Sequence, residues 1–438
     1  MMRTDDLIRG LVAPELRERS NEALVALGAD VVERLVRELA DERSPVVRRE
    51  ITAVLGRIGD AAFDGLVQGL VSVSPSREES RHDIGFALSH IGAAALDRYT
   101  AALVHPSPLV RRAAVRGIEH CGEAGLPAVS ALLPLLGDPN QEVAQQASDT
   151  LACRGQHLVP QLQHIRMHGP GRQRARALTV LAELGGEPAL TLADCAAIER
   201  LIRIKLLDDR PASLWACWNH WMAVRGGDQA GIIETLGLTR PRPVTFGLAN
   251  DIVDADGHGC GAGEYDGYAR VFVTPELDGW TLVLGAWCDP CGTERSEDVL
   301  RLCTELSARY GEAHAYYYGS QGDGSTWLVA EHGTVVRRYS ETGEAEDDEP
   351  LTLGKPLPYE RNRRTELGLQ PDWDAAEESQ DEEDEWKWAA FDLAPDIARS
   401  LGVSPLDIGP DTPSRGTGVI ALTPYGVAHG VPAGAYRI

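Results

Sequence analysis

Apolar positions in the first half of the chain recur with a helical spacing, and the helices so marked recur in turn. Val47, Ile51, Leu55 and Ile58 fall at i, i+4, i+8 and i+11, on one face of a helix. Gly59 follows, and glycines stand at the matching place in five other segments: Gly28, Gly92, Gly122, Gly155 and Gly185. Four residues before each glycine the column reads Leu24, Leu55, Leu88, Ile118, Leu151 and Leu181, always a large aliphatic. After each glycine comes a second apolar run, such as Val32, Leu35, Val36 and Leu39, and then a polar turn such as Asp41 to Pro45. The period of about 30 residues predicts six helical hairpins, each too thin to bury its own apolar face and therefore stacked on its neighbours as an all-α superhelix. The glycine reads as the left-handed residue that ends the first helix of each hairpin.

From about residue 241 the helical period gives way to short β-type runs. Strands are expected at Pro243 to Leu248, Tyr268 to Val273, Trp280 to Ala286, Ala315 to Tyr318, Trp327 to Glu331 and Thr334 to Tyr339. His332-Gly333 predicts a tight hairpin turn between the last two, and Ser296 to Tyr310 a helix. The fold class is multidomain: a solenoid over residues 1–222, then an α+β domain with an antiparallel sheet over 239–345. An acidic, proline-containing linker spans 346–385, and a C-terminal helix and strand segment, 386–438, packs on the rest. In that segment Trp386 to Leu401 reads as one helix and Gly418 to Leu422 as strand.

Asp41 through Gly59, DERSPVVRREITAVLGRIG, resembles the HEAT repeat in its short, phycobilisome-lyase-like form. The likeness covers residues 1 to about 222, and the second half resembles no characterised family. It implies an α-solenoid and, for most members, a protein-binding scaffold; a few members are enzymes, including alkylpurine DNA glycosylases. In such repeats an Asp in the turn and an Arg about seven residues on form a ladder between units, and Asp41 with Arg48 has that spacing. Eleven residues before the glycines the column reads Arg17, Arg48, Arg81, Arg111, Ala144 and Arg174. Arg48, Arg81 and Arg111 are therefore ladder members or, alternatively, a ligand-binding stripe.

Charge sharpens the division. The formal net charge is −24. Residues 1–240 carry 27 basic against 30 acidic side chains and residues 241–438 carry 15 against 36, so the halves stand at −3 and −21. Such a second half repels nucleic acid and anionic membrane. Much of its acidity lies in two runs, Glu341 to Glu349 and Asp372 to Glu385, read as solvated linkers, with Arg361, Arg363 and Arg364 as a basic partner between them. No apolar run reaches the length of a membrane span, and 8 cysteines are ordinary for a reduced protein, so a cytoplasmic location is expected. Only Lys205, Lys355 and Lys387 among 42 basic residues are lysines, which suits a GC-rich bacterial genome.

The candidate chemistry is sparse. Trp215, Trp218 and Trp221, with His220 among them, form a stripe on an expected helix that caps the last repeat or binds a ligand. His258, Cys260, Cys288 and Cys291 supply four soft ligands, enough for a structural zinc, with Cys303 as a substitute. No cofactor beyond that candidate zinc is implied. Tyr316-Tyr317-Tyr318, followed by Trp327, reads either as an aromatic pocket lining or, by strand alternation, as a half-buried sheet with one ring to the core and two outward. The first reading of function is a scaffold or adaptor that binds a protein or peptide partner, in a bacterial regulatory, immunity or defence context. A second is an enzyme or enzyme subunit acting on a peptide or small molecule where the two halves meet. A third is a HEAT-type DNA glycosylase, which the charge disfavours.

Overall fold

The thirty-residue period is a packing period. In the computed structural model, helices α1 (Thr4–Gly10), α2 (Pro14–Leu27), α3 (Ala29–Leu39), α4 (Arg48–Ile58), α5 (Phe63–Ser72) and α6 (Glu78–Ser89) open the chain. Then come α7 (Leu96–Ala102), α8 (Pro108–His120), α9 (Gln141–Arg154), α10 (Val159–His168) and α11 (Gly171–Gly185). The first helices of successive repeats pack in series, α2 on α4, α4 on α6, α6 on α8, α8 on α9 and α9 on α11. Their shared face is the aliphatic column, since Leu24, Leu55, Leu88, Ile118, Leu151 and Leu181 are all buried. In the fourth repeat the second helix is replaced by a 3₁₀ stretch, Gly122–Gly137, containing Pro127 and Pro134, whose missing N–H groups disfavour an α-helix.

The structure describes residues 4–41, 43–216, 218–258, 266–320, 322–343, 351–372 and 379–431. Contacts divide the chain into two units, Met1–Gly185 and Gly186–Ile438. The expected boundary at 222 thus moves back, and residues up to 222 contribute a strand to the second unit. The glycine column is also refined. Gly28, Gly59, Gly92 and Gly122 have positive φ, but ψ at the first three is near −130° to −174°, a region open to glycine alone and distinct from the left-handed helical one. In the last repeat Gly186, not Gly185, has the positive φ, and Gly155 has φ −91°.

Arg48 and Arg111 of the arginine column reach acidic partners one repeat further on. Arg111 makes two hydrogen bonds of 2.8 Å to the Asp138 carboxylate, which lies in the turn of the next repeat. Arg48 pairs with Asp83 and Glu79 rather than with Asp41, and Arg81 donates to the Val73 carbonyl. These side chains join or cap repeats and are not free to form a ligand stripe.

The second unit begins with α12 (Leu192–Lys205) and is built on one antiparallel sheet. Its strands are β1 (Trp218–Arg225), β2 (Thr239–Pro243), β3 (Arg270–Val273), β4 (Glu276–Leu277), β5 (Trp280–Leu284) and β6 (Glu312–Gly319), then β7 (Gly324–Glu331), β8 (Thr334–Glu341), β9 (Leu353–Gly354), β10 (Ser414–Arg415) and β11 (Val419–Leu422). The order is β2-β11-β3-β5-β1-β6-β7-β8-β9, with β4 bridging β10 and β5. Helices α13 (Gln229–Thr235) and α15 (Ser296–Tyr310) cover one face, packed on Met222, Val224, Val283 and Ala315. Helix α14 (Phe246–Gly257) and the helices Gln380–Ala390 and Ala394–Leu401 cover the other, packed on Trp221, Leu282, Tyr316 and Trp327. A sheet covered on both faces has central strands that are buried throughout rather than alternating.

This explains three departures from expectation. Trp215, Trp218 and Trp221 do not share a helix face: Trp218 and Trp221 lie on the central strand β1, three residues apart and so on opposite faces. Tyr316 and Tyr317 are both buried, one on each face. Pro243 to Leu248 is not a strand, because Thr245 Oγ1 accepts the Leu248 N–H at 3.2 Å and caps α14. Ser296–Tyr310 is the expected helix, and His332-Gly333 turns with φ of 48° and 80°.

The expected linker is partly structure. Pro358–Glu366 is a helix, and its Glu360 is buried against Arg337 of β8. The end of the second acidic run starts the helix Gln380–Ala390, where Ser379 and Glu382 form a capping box and Asp381, Glu382 and Glu383 meet the positive end of the dipole. Arg361 reaches Asp372 of that run at 3.6 Å, as expected for the basic knot. Trp386 to Leu401 is two helices, Gln380–Ala390 and Ala394–Leu401, the second with Pro395 in its first turn. Among the described residues no helix is long and apolar enough to cross a membrane.

Candidate ligand-binding site

At one end of β1 and β6 the second unit has an open cavity of about 550 Å³. Trp218 and His220 enter it from alternate positions of β1. Tyr317 enters from β6, directly across the ladder from His220, and the two rings stack with centroids 4.8 Å apart. The loop after β5 contributes Asp289 and Cys291, the turn between β6 and β7 contributes Asp323, and Phe391 closes the wall from the end of the helix Gln380–Ala390.

Asp289 organises the polar side. Its Oδ1 accepts the backbone N–H of Cys291 at 2.9 Å and of Gly292 at 3.1 Å, and the Cys291 thiol at 3.1 Å. His220 Nε2 lies 3.9 Å from the same oxygen. Burial alone would raise the Asp289 pKa, but His220 and the three donors outweigh it, and the carboxyl sits below its usual range. Burial lowers the His220 pKa, against the opposing pull of Asp289 and the Trp218 backbone, so the imidazole is neutral at pH 7. Burial, with Cys291, Asp323 and Asp289 adding to it, raises the Tyr317 phenol above its ordinary value. Across the cavity, Trp218 Nε1 donates to Asp323 Oδ2 at 3.1 Å, and the Trp218 ring meets His258 at 5.2 Å.

Glycines make room for both carboxylates. A Cβ at Gly292 would collide with Asp289 Oδ2, and one at Gly319 would collide with Asp323 and crowd the Tyr317 hydroxyl.

Of the residues singled out by sequence, Trp218, His220 and Cys291 line this cavity. Trp221 faces the opposite side of the sheet, stacked on Tyr316 at 4.9 Å, and Trp215 is exposed, its backbone held by Asn250. Cys260 lies outside the described residues. Cys288 and Cys303 belong to the apolar core under α15, where burial pushes the Cys288 thiol up to about 12. His258 Nδ1 shares a 2.8 Å hydrogen bond with the Asp254 carbonyl. Among the described residues no group of three or more His, Cys, Asp or Glu is placed to hold a metal ion.

No family model matches the chain, and no curated protein does. Among solved structures it is similar to two engineered proteins of the Northeast Structural Genomics Consortium. One is 18% identical over 40% of this chain and 94% of that protein, with a TM-score of 0.20. The other is 19% identical over 46% of this chain and 64% of that one, with a TM-score of 0.22. Likenesses this slight carry no argument about fold or function.

Asp289, Asp323 and Phe391 were not among the site residues the sequence suggested, and Tyr317 was raised only as one of a tyrosine triplet that a half-buried sheet explained better. The loop of the cysteine knuckle borders this cavity, and Asp289, between its cysteines, gathers the polar contacts.

Proposed function

We propose that the chain is a binding protein rather than an enzyme. Its helical unit is read as a HEAT-like α-solenoid that offers a repeat surface to a protein or peptide partner, and its second unit holds a ligand in the cavity of Trp218 and His220. The series packing of α2, α4, α6, α8, α9 and α11 and the Arg111–Asp138 pair between repeats support the solenoid. A regulatory, immunity or defence setting is compatible with this reading.

The observation that carries it is the state of Cys291. A cysteine nucleophile works as a thiolate, made by a base or by neighbouring positive charge. Here the thiol proton is held against the Asp289 carboxylate, while the nearby imidazole is neutral and faces the same carboxylate. The contact with Asp289 works against a thiolate, while the Arg338 guanidinium also acts on Cys291, and we read the cavity as furnished to hold a ligand rather than to attack one.

The second reading, an enzyme acting on a peptide or small molecule, is favoured by one fact: His220, Asp289 and Cys291 all line one cavity. The two are separated by screening the full chain for ligands that raise its melting temperature and then recovering each ligand for mass spectrometry. Ligands returned unchanged, with a shift reduced in Trp218→Ala, support binding. Turnover that stops in Cys291→Ser replaces it with the enzyme reading.

A further inference from the structure

The walls of the cavity are unlike those of an anion or lipid pocket. Its rings are His220 and Tyr317, stacked on each other, with Trp218 and Phe391 beside them. Among the described lining residues the charges are two carboxylates, Asp289 and Asp323, with no lysine or arginine. Asp289 uses Oδ1 for its three donors, and Asp323 uses Oδ2 for the Trp218 indole. The second oxygen of each accepts no hydrogen bond from a described residue. The site therefore offers two charged acceptors from different loops, one from the segment after β5 and one from the β6–β7 turn, in a cavity also lined by aromatic rings.

We propose that this cavity binds a guanidinium cation. The deduction rests on the binding reading above and adds the chemical class of the ligand. An aromatic face attracts a cation through its quadrupole, and a planar guanidinium can stack on a ring while its forked N–H groups reach carboxylates at its edge. Two acceptors on separate loops suit that fork better than the point charge of an ammonium. At about 550 Å³ the cavity also holds more than the bare cation, so the ligand carries the guanidinium on a larger body. Either an arginine side chain of a partner polypeptide or a free small guanidine has this chemistry, and the test separates them.

The test is calorimetric titration of the full chain with N-acetyl-arginine methylamide, with a free alkylguanidine, and with N-acetyl-citrulline methylamide, which replaces the cation by a neutral urea of nearly the same shape. The guanidinium probes should bind and the citrulline probe should bind at least about tenfold more weakly, a difference of about 1.4 kcal/mol. Asp323→Asn, which keeps an acceptor for the Trp218 indole, should weaken the cation by a similar factor without lowering the melting temperature. Tighter binding of the arginine than of the alkylguanidine points to a polypeptide source, and the reverse to a small molecule; both support the cation. Equal affinity for arginine and citrulline, indifference to Asp323→Asn, or no binding of either guanidinium at millimolar concentration overturns it. So does one equivalent of zinc bound through His220 and Cys291. A neutral or anionic ligand held in this cavity would overturn the cation alone and leave the binding reading intact, whereas turnover would remove that reading.

Discussion

Arg337 of β8 and Glu360 of the helix Pro358–Glu366 meet inside the second unit, Nη2 to Oε1 at 2.6 Å, with side chains 1% and 0% exposed. Arg337 Nη1 also donates to the Gly354 carbonyl at 3.0 Å, and Glu360 accepts the Leu357 N–H that starts its helix. One buried pair thus pins β8 to a segment whose proline and charge content suggested a linker.

Breaking this pair from one side leaves the other charge buried without its partner. Glu360→Gln or Arg337→Met should each lower stability by about 3–5 kcal/mol, with the double change costing less than the sum of the two. Urea unfolding of the single and double variants measures both quantities. Costs below about 1 kcal/mol would mean that water replaces the lost partner and that the pair is not sealed.

His314 predicts an acid sensitivity. It is buried on β6, shares a 3.1 Å hydrogen bond with the Tyr316 hydroxyl, and has its pKa lowered to about 4 by burial first and Arg225 second. The unfolded chain, with an ordinary histidine near 6.5, takes up the proton first. Its contribution is therefore fully present above about pH 6.5 and is lost progressively as pH falls toward 4, by about 3 kcal/mol. His314→Gln should flatten this part of the profile of melting temperature against pH. Parallel curves for the two proteins between pH 4 and 6.5 would rule the assignment out.

Gly117 and Gly85, both inside helices of the first unit, should respond oppositely to alanine. A Cβ at Gly117 would strike the ring of Tyr99, which is fully buried with its hydroxyl bonded to the Leu88 carbonyl at 2.7 Å. At Gly85 it would make an ordinary contact with Leu70. Gly117→Ala should cost about 1–3 kcal/mol, and Gly85→Ala should add about 0.5–1 kcal/mol through helix propensity. The sign of the difference in thermal unfolding decides the matter.

The cysteines should divide by burial. Iodoacetamide at pH 8 followed by peptide mapping should leave Cys288 and Cys303 unmodified in the native protein and label the exposed Cys153 readily. Rapid modification of Cys288 in the folded state would contradict its place in the core.

What could be read from the sequence follows from the range of the interactions involved. The hairpins were legible because Val47, Ile51, Leu55 and Ile58 record a local face, and the His332-Gly333 turn because two positive φ angles select few residues. Strand β1 was misread because Trp215, Trp218 and Trp221 repeat every three residues, which imitates a helix, while a strand buried on both faces has no alternation to betray it. The cavity was not legible as a whole. Asp289, Tyr317, Asp323 and Phe391 are separated by up to about a hundred residues, and only the sheet register and the turn chemistry bring them to one place. The arginine column was legible and its partners were not, since sequence spacing suggested Asp41 for Arg48 while packing offers it Asp83 and Glu79 of the next helix.

Strand β11 bears on how the protein is made. It lies between β2 and β3 and pairs with both, although some 150 residues of chain separate it from β3. Until Val419 to Leu422 leave the ribosome, those two neighbours have a gap between them and present unpaired backbone to whatever else is nearby. Each repeat of the helical unit, by contrast, needs only the repeat before it. Synthesis can therefore complete the first unit repeat by repeat, whereas the sheet of the second closes only after residue 422 has emerged. A nascent chain stalled or clipped short of residue 419 carries an open sheet, a form that chaperones would have to shield and proteases would remove.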